Sequence, residues 1–153
     1  MEGASPAPGK TPPRTLRSVL FMCRMNAVRS PMAETIARSL LPGTYIASAG
    51  IRPGERDPFV DAVLGEVGLS LGRHAPHSLD ELEDDYFDLI VTLAPEAHHA
   101  ALELTRSMAV DVMYWPTPDP TVATGTREQI MSAYREVREF LKTLIEKRLK
   151  ASG

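Results

Sequence analysis

The chain has 153 residues, of which 43% are hydrophobic and 24% charged, a composition typical of one folded globular domain and not of a disordered or fibrous chain. The net charge of −3 provides no basic field for nucleic acid or an anionic membrane, and the apolar runs are far shorter than the roughly 20 residues that span a bilayer. The single cysteine excludes an intrachain disulfide, and with no secretory signal at the N-terminus we expect a cytoplasmic protein.

Residues 1–15 differ in composition from the remainder of the chain. They are rich in proline, alanine, glycine and serine and show no apolar periodicity. We therefore predict a disordered tail over residues 1–15 and a single domain over residues 16–153.

Apolar patterning predicts strands and helices that alternate along this domain. In chain order we predict a strand at 18–22, a helix from Ser30 and Pro31 to about residue 42, a strand at 45–49, a helix at 59–67, a strand at 87–93, a helix at 95–107, a strand at 110–115 and a helix at 126–150. This alternation indicates βαβ units and a parallel sheet covered on both faces. Sites in such sheets form at the carboxyl ends of the strands.

The only cysteine, Cys23, lies between the first predicted strand and the first predicted helix. A buried structural thiol is the ordinary interpretation of a lone cysteine. Here, however, a short loop beside a helix N-terminus directs successive backbone N–H groups into one concavity, which suits an oxyanion. Arg29 adds a planar fork that fits phosphate oxygens, and the same positive field favours the thiolate of Cys23. Ser30 can cap the helix and can also donate its hydroxyl to that thiolate.

The pattern Cys23-x5-Arg29-Ser30-Pro31 resembles that of the low-molecular-weight protein tyrosine phosphatase superfamily, which includes the thioredoxin-coupled arsenate reductases. The resemblance runs from about residue 17 to residue 148 and includes Ser48-Ala49-Gly50, the residues before His74, residues 87–92, and Asp119-Pro120. It implies a single α/β domain with a four-stranded parallel sheet, helices on both faces and a phosphate-binding loop between the first strand and the first helix. It also implies a cysteinyl-phosphate or cysteinyl-arsenate mechanism.

Carried over position by position, the resemblance implies roles for individual residues. Cys23 matches the nucleophile, Arg29 the clamp on the transition state, and Ser30 the hydroxyl that stabilises the thiolate. The phosphate-binding loop then consists of Arg24, Met25, Asn26, Ala27, Val28, Arg29 and Ser30. Asn26, Ser48 and His74, together with Ser30, match positions that brace this loop. Ordinary turn or surface chemistry is the alternative interpretation of Asn26, Ser48 and His74.

A phosphate ester also needs an acid to protonate its leaving oxygen. Asp119 follows the last predicted strand and so lies at the same sheet edge as Cys23. The alternative interpretation of Asp119 is a rigid proline turn, in which aspartate is common. With the family match, we predict that Asp119 is the general acid.

The sequence also departs from the family pattern at several positions. Met25 replaces a loop glycine and Val28 a second cysteine. The three-cysteine relay of the thioredoxin-coupled reductases is absent from a chain with one cysteine. Residues 121–125, which follow Asp119-Pro120, include no aromatic residue, and Ala27 stands where phosphoarginine phosphatases carry threonine. Tyr114 and Trp115 are candidate pocket walls, although packing at the end of a strand is the more ordinary role for them. The remaining candidates are rim cations at Arg24, Arg52 and Arg56 and an exposed pair, His98-His99.

These observations favour a cysteine-dependent phosphomonoesterase acting on a phosphorylated small molecule or protein, with protein phosphotyrosine as one candidate. Residues 91–93 resemble the reductase branch, so arsenate reduction with external thiols is one alternative. A non-catalytic module that binds phosphate or arsenate is another, because Met25 stands in place of the loop glycine. No metal-ligand spacing or dinucleotide motif appears, so we expect no metal, no cofactor, no nucleic acid and no membrane partner.

Overall fold

Four strands and four α-helices alternate along residues 16–82 and 86–150, which the computed structural model describes. The elements are β1 (Ser18–Cys23), α1 (Arg29–Leu40), β2 (Tyr45–Gly50), α2 (Pro58–Gly65), β3 (Leu89–Thr92), α3 (Pro95–Leu104), β4 (Asp111–Tyr114) and α4 (Arg127–Ile145). All strands are parallel and their order is β2-β1-β3-β4. This confirms the predicted α/β fold, whereas the predicted tail lies outside the described residues.

Side chains of β1 alternate between two hydrophobic layers because successive residues of a strand point to opposite faces. Val19, Phe21 and Cys23 pack with α1, α2 and α4, whereas Leu20 and Met22 pack with α3. Both faces of β1 are therefore buried, which explains its continuous apolar sequence.

The first helix begins two residues earlier than predicted, at Arg29 instead of Pro31, and its cap differs. Val28 occupies the N-cap position and its side chain makes no capping hydrogen bond. Ser30 lies inside the first turn, so the predicted capping role of Ser30 is wrong. Its hydroxyl is instead turned towards Cys23. The other predicted elements occur, with ends shifted by a few residues.

The carboxyl ends of the strands bring three connecting segments to one edge of the sheet. These are residues 24–28 after β1, residues 51–57 after β2 and residues 115–119 after β4. The last segment continues along β3, because the amides of Trp115 and Thr117 donate to the carbonyls of Thr92 and Leu93 at 2.8 and 3.1 Å. Over the two described ranges, no helix has the length and apolar character needed to cross a membrane.

Candidate active site

A cleft of about 290 Å³ opens at this edge of the sheet. Its walls are formed by Cys23, Arg24, Met25, Ala27, Val28, Arg29, Glu55, Asp57, Asp119 and Thr121. The structure therefore brings the predicted nucleophile, clamp and acid together in one cleft. Asn26, Ser30 and Ser48 do not line the cleft but are buried.

The backbone of the 24–28 loop is tied to the segment after β2 through its carbonyls. The carbonyl of Arg24 accepts from the amides of Ile51 and Arg52 at 2.9 and 3.2 Å, and that of Met25 accepts from Gly54 at 2.8 Å. By contrast, no amide of residues 24–28 donates to another backbone group of the described chain. These amides are therefore free of backbone acceptors, and four of the five residues that carry them line the cleft, which suits binding of an oxyanion.

Asn26 is the non-glycine residue with a positive φ, 55°, in the described parts of the chain. Asparagine tolerates this left-handed conformation better than most residues. Met25, which replaces the family's glycine, is not in that region, so its side chain imposes no backbone strain on the loop. A methionine at this position is therefore compatible with the backbone conformation of the loop.

Ser30 lies directly against the candidate nucleophile. Its Oγ is 3.0 Å from Cys23 Sγ and accepts a hydrogen bond from Asn26 Nδ2 at 2.8 Å. Because the asparagine supplies its own hydrogen, the serine hydroxyl hydrogen remains available to the sulfur. This arrangement can stabilise a thiolate.

Asn26 connects the loop to two other parts of the fold. Its Nδ2 also donates to Ser48 Oγ on β2 at 2.9 Å, and its Oδ1 accepts from the amide of His77 at 3.1 Å. Both donor hydrogens and the acceptor of this buried side chain are therefore used. Asn26 fixes the loop relative to β2 and to the chain that follows α2.

A buried carboxylate, Glu34 on α1, lies behind the loop and was not predicted from the sequence. It accepts a hydrogen bond from Ser48, pairs with Arg38 at 2.5 Å and lies 3.9 Å from His74 Nδ1. His74 Nε2 donates to the carbonyl of Asn26 at 3.3 Å. Burial lowers the pKa of His74, against the opposing effects of that carbonyl and of Glu34. An acidic residue one helical turn after Ser30 was the available signal for Glu34.

Gly50, at the end of β2, allows the loop to approach the sheet. A Cβ at this position would lie 2.7 Å from the nitrogen of Asn26, 2.8 Å from the carbonyl carbon of Met25 and 2.9 Å from the oxygen of Arg52. All three are backbone atoms, which have no rotamer by which to move aside. A side chain at residue 50 is therefore incompatible with the observed loop.

Arg29 and Asp119 meet at the cleft through the segment after β4. Arg29 Nη1 donates to the carbonyl of Thr117 at 3.1 Å. Asp119 Oδ1 accepts from the amide and hydroxyl of Thr121 at 3.0 and 2.6 Å. Partial burial raises the pKa of Asp119, but the Thr121 hydrogen bonds and the charges of Arg29 and Arg24 outweigh it, so the pKa lies below its usual value.

A second carboxylate of the cleft, Asp57, is the N-cap residue of α2. Its Oδ1 accepts from the amide of Phe59 at 2.9 Å, and its Oδ2 accepts from the hydroxyl of Tyr134 at 2.6 Å. Burial and this hydrogen bond raise the pKa of Tyr134. Asp57 is therefore fully engaged in holding α2 against α4.

The two aromatic residues suggested as pocket walls, Tyr114 and Trp115, do not line the cleft. Trp115 is buried against Phe21, and Tyr114 stacks on His98 with ring centroids 4.5 Å apart. His98 Nδ1 lies 3.0 Å from Thr92 Oγ1. The prediction of an exposed histidine pair is therefore wrong for His98, because the packing of α3 brings its side chain over β3.

Of the suggested rim cations, Arg24 lines the cleft and Arg52 is exposed, whereas Arg56 pairs with Asp61 at 2.7 Å. Sequence reasoning missed Glu55 and Thr121 as lining residues, because nothing in their local sequence marks them. Within the described residues no group of three or more histidine, cysteine or acidic side chains is placed to hold a metal ion.

Comparisons with known proteins agree with this geometry. An arsenate reductase of Halalkalibacterium halodurans is 29% identical over 122 residues, which cover 79% of this chain and 86% of that protein. A solved tyrosine phosphatase of Erwinia amylovora is 26% identical, with a TM-score of 0.73 and coverage of 89% of this chain and 93% of the other. A solved arsenate reductase of Archaeoglobus fulgidus is 30% identical, with a TM-score of 0.61 and coverage of 83% and 98%.

The family match extends over almost the whole chain. Residues 18–151 match the family model described as low molecular weight phosphotyrosine protein phosphatase. A solved structure named as a phosphatase and one named as an arsenate reductase both match this fold over more than four fifths of the chain. The resemblance drawn from the cysteine loop is confirmed, and the chain belongs to the low molecular weight phosphotyrosine protein phosphatase family.

Proposed function

We propose that this protein hydrolyses phosphomonoesters through a cysteinyl-phosphate intermediate. The observation that supports this most is that Cys23, Arg29 and Asp119 line a single cleft. Cys23 and Asp119 are the nucleophile and the acid that the two-step reaction requires. Arg29 and the free loop amides are the donors that the phosphoryl group requires.

In the first step, the Cys23 thiolate attacks phosphorus opposite the leaving oxygen. The S–P bond forms, the P–O bond to the leaving group breaks, and Asp119 gives its proton to the departing oxygen. Arg29 and the amides of residues 24–28 hold the equatorial oxygens. In the second step, Asp119 takes a proton from water, whose oxygen attacks phosphorus and breaks the S–P bond, releasing inorganic phosphate and the thiolate.

The test is release of phosphate from p-nitrophenyl phosphate from about pH 3 to pH 8, a range that includes acidic conditions in which Asp119 carries its proton. We expect activity in the wild type, none in Cys23→Ser, and a large loss in Arg29→Lys, which keeps the charge but not the bidentate fork. Arg106→Lys, at an exposed position of the chain after α3, is the matched control. Equal inactivity of wild type and Cys23→Ser rules out the hydrolase. Phosphate binding without turnover would instead identify an oxyanion-binding module.

Arsenate reduction with external thiols is a second candidate, favoured by the arsenate reductases among the relatives. Cys23 would form an S–As bond to arsenate with loss of water. An external thiol would then attack the sulfur of Cys23, so that arsenic(V) leaves as arsenite and a mixed disulfide forms, which a second thiol reduces. One cysteine suffices for this route, because both further thiols come from outside the chain.

The two candidates are separated by supplying arsenate with and without a small thiol such as glutathione. Thiol-dependent formation of arsenite that is lost in Cys23→Ser supports the reductase. Arsenate that acts only as a competitive inhibitor of phosphate ester hydrolysis excludes it.

A further inference from the structure

Three carboxylates line the cleft beside the thiol: Glu55, Asp57 and Asp119. Two of them are already engaged by the protein. Asp57 accepts hydrogen bonds from Phe59 and Tyr134. Asp119 accepts two from Thr121 and lies in the field of both cations of the cleft, Arg29 and Arg24.

Glu55 is the carboxylate that the protein leaves unengaged. Its side chain is exposed and makes no hydrogen bond or ion pair with any residue of the described ranges. The backbone on both sides of Glu55 is nevertheless anchored. The amide of Gly54 donates to the carbonyl of Met25 at 2.8 Å, and Asp57 is the N-cap residue of α2. An unpaired carboxylate on an anchored segment therefore lies at the wall of the cleft.

The remainder of the wall supplies no aromatic side chain that could stack on a substrate ring. Among the residues that the structure describes, no phenylalanine, tyrosine or tryptophan lines the cleft, whose apolar contacts come from Met25, Ala27 and Val28. Selectivity for the part of the substrate beyond the phosphate therefore depends on charge more than on stacking. A substrate cation is the partner that complements Glu55.

We propose that Glu55 is a specificity-determining residue that favours phosphomonoesters carrying an ammonium or guanidinium group beside the ester. This inference rests on the proposed hydrolase. The phosphate is held by Arg29 and the loop amides, while the cationic group of the leaving portion pairs with Glu55 at the wall. A substrate with an anionic group at the same place is disfavoured by repulsion from the same carboxylate.

The test uses three phenyl phosphates that differ at the para position: aminomethyl (cationic), ethyl (neutral) and carboxymethyl (anionic). In the wild type, we expect kcat/KM to fall in that order. Glu55→Gln should lower the ratio of cationic to neutral substrate roughly two- to fivefold, the size of an exposed ion pair, and should raise the ratio of anionic to neutral. Added salt should weaken the wild-type preference and leave that of the variant nearly unchanged.

Glu103→Gln removes an exposed carboxylate near the end of α3 that does not line the cleft, and it should keep the wild-type ratios. Wild-type ratios in Glu55→Gln overturn the assignment of Glu55 while hydrolysis of all three esters still supports the hydrolase. If no ester is hydrolysed, the hydrolase proposal fails. Calorimetric binding of the three corresponding phosphonates then decides the role of Glu55, since it needs no turnover: equal affinities in wild type and Glu55→Gln reject it.

Discussion

Asp119 lies in surroundings that stabilise its charged form. Partial burial acts against the charge, but the two hydrogen bonds from Thr121 and the cations Arg29 and Arg24 act more strongly, so the pKa is lowered. A general acid must carry its proton when the substrate binds. The acid-assisted reaction is therefore confined to more acidic conditions than an ordinary aspartate would allow.

Removing the Thr121 hydroxyl should raise the pH up to which Asp119 keeps its proton and can act as the acid. Thr121→Val keeps the shape and the amide hydrogen bond but loses the hydroxyl bond of 2.6 Å, which stabilises only the carboxylate. The pKa of Asp119 then rises, and the alkaline limb of kcat/KM for phenyl phosphate shifts to higher pH. The same profile for Thr124→Val, an exposed threonine outside the cleft, should match wild type. An unshifted limb in Thr121→Val would assign the limb to another group.

At the scale of single residues, the sequence predicts what lies within one contiguous motif. Cys23, Arg29 and Ser30 occupy one loop and one helical turn, so their proximity follows from local geometry. Glu34 and Glu55 depend on how α1 packs on β2 and how the 51–57 segment returns to the loop. Such contacts between distant parts of the chain leave no spacing signal.

At the scale of secondary structure elements, the end of β2 at Gly50 lies tightly against the 24–28 loop. Gly50→Ala should place a methyl group against three backbone atoms and displace the loop. We expect a loss of roughly 1–3 kcal/mol in unfolding free energy, as for other overpacked sites. Phosphate affinity should also fall, because the loop amides move with the displaced backbone. Denaturant unfolding and calorimetry with inorganic phosphate measure the two effects.

Gly43→Ala is the matched control for this change. Gly43 precedes the same strand, has no positive φ, and a Cβ there meets no atom within 4 Å. Its unfolding free energy and its phosphate affinity should therefore stay close to wild type. If Gly50→Ala binds phosphate as tightly as Gly43→Ala does, the loop tolerates the displacement and Gly50 has no role in its geometry.

The order and type of the elements were predictable because buried parallel strands leave continuous apolar runs and surface helices leave a periodic face. The start of α1, by contrast, was not predictable from this patterning. Ser30 followed by proline has the sequence of a cap and a first helical residue, yet the helix begins at Arg29. The contact of Ser30 with Cys23 and Asn26 uses its hydroxyl instead, so a tertiary interaction overrides the local preference.

The whole molecule contains a single cysteine, and this determines the fate of its oxidised form. Peroxide transfers an oxygen atom to the sulfur of a thiolate, giving sulfenic acid and releasing hydroxide, which takes up a proton to become water. A nearby thiol would condense with that product to a reducible disulfide, but this chain offers none. Excess peroxide therefore carries Cys23 on to sulfinic acid, which common thiols do not reduce.

We predict that brief peroxide treatment inactivates the protein and that dithiothreitol added afterwards restores little activity. Cys23 is 3% exposed and reaches solvent at the cleft. Inorganic phosphate bound there should therefore slow the reaction. Val28→Cys places a second thiol at the N-cap of α1, in the wall of the same cleft. In this variant, most of the lost activity should return with dithiothreitol, because the sulfenic acid is captured as a disulfide.

Mass spectrometry of the peptide that contains Cys23 distinguishes these outcomes. The wild type should gain two oxygen atoms, whereas Val28→Cys should lose two hydrogens. Val122→Cys, which adds a thiol at an exposed residue that does not line the cleft, controls for the mere presence of a second cysteine and should behave as wild type. If Cys23 stays reduced while glutathione in the same solution is oxidised, the sulfur is inaccessible or held as a thiol. In that case the nucleophilic role proposed for Cys23 fails with it.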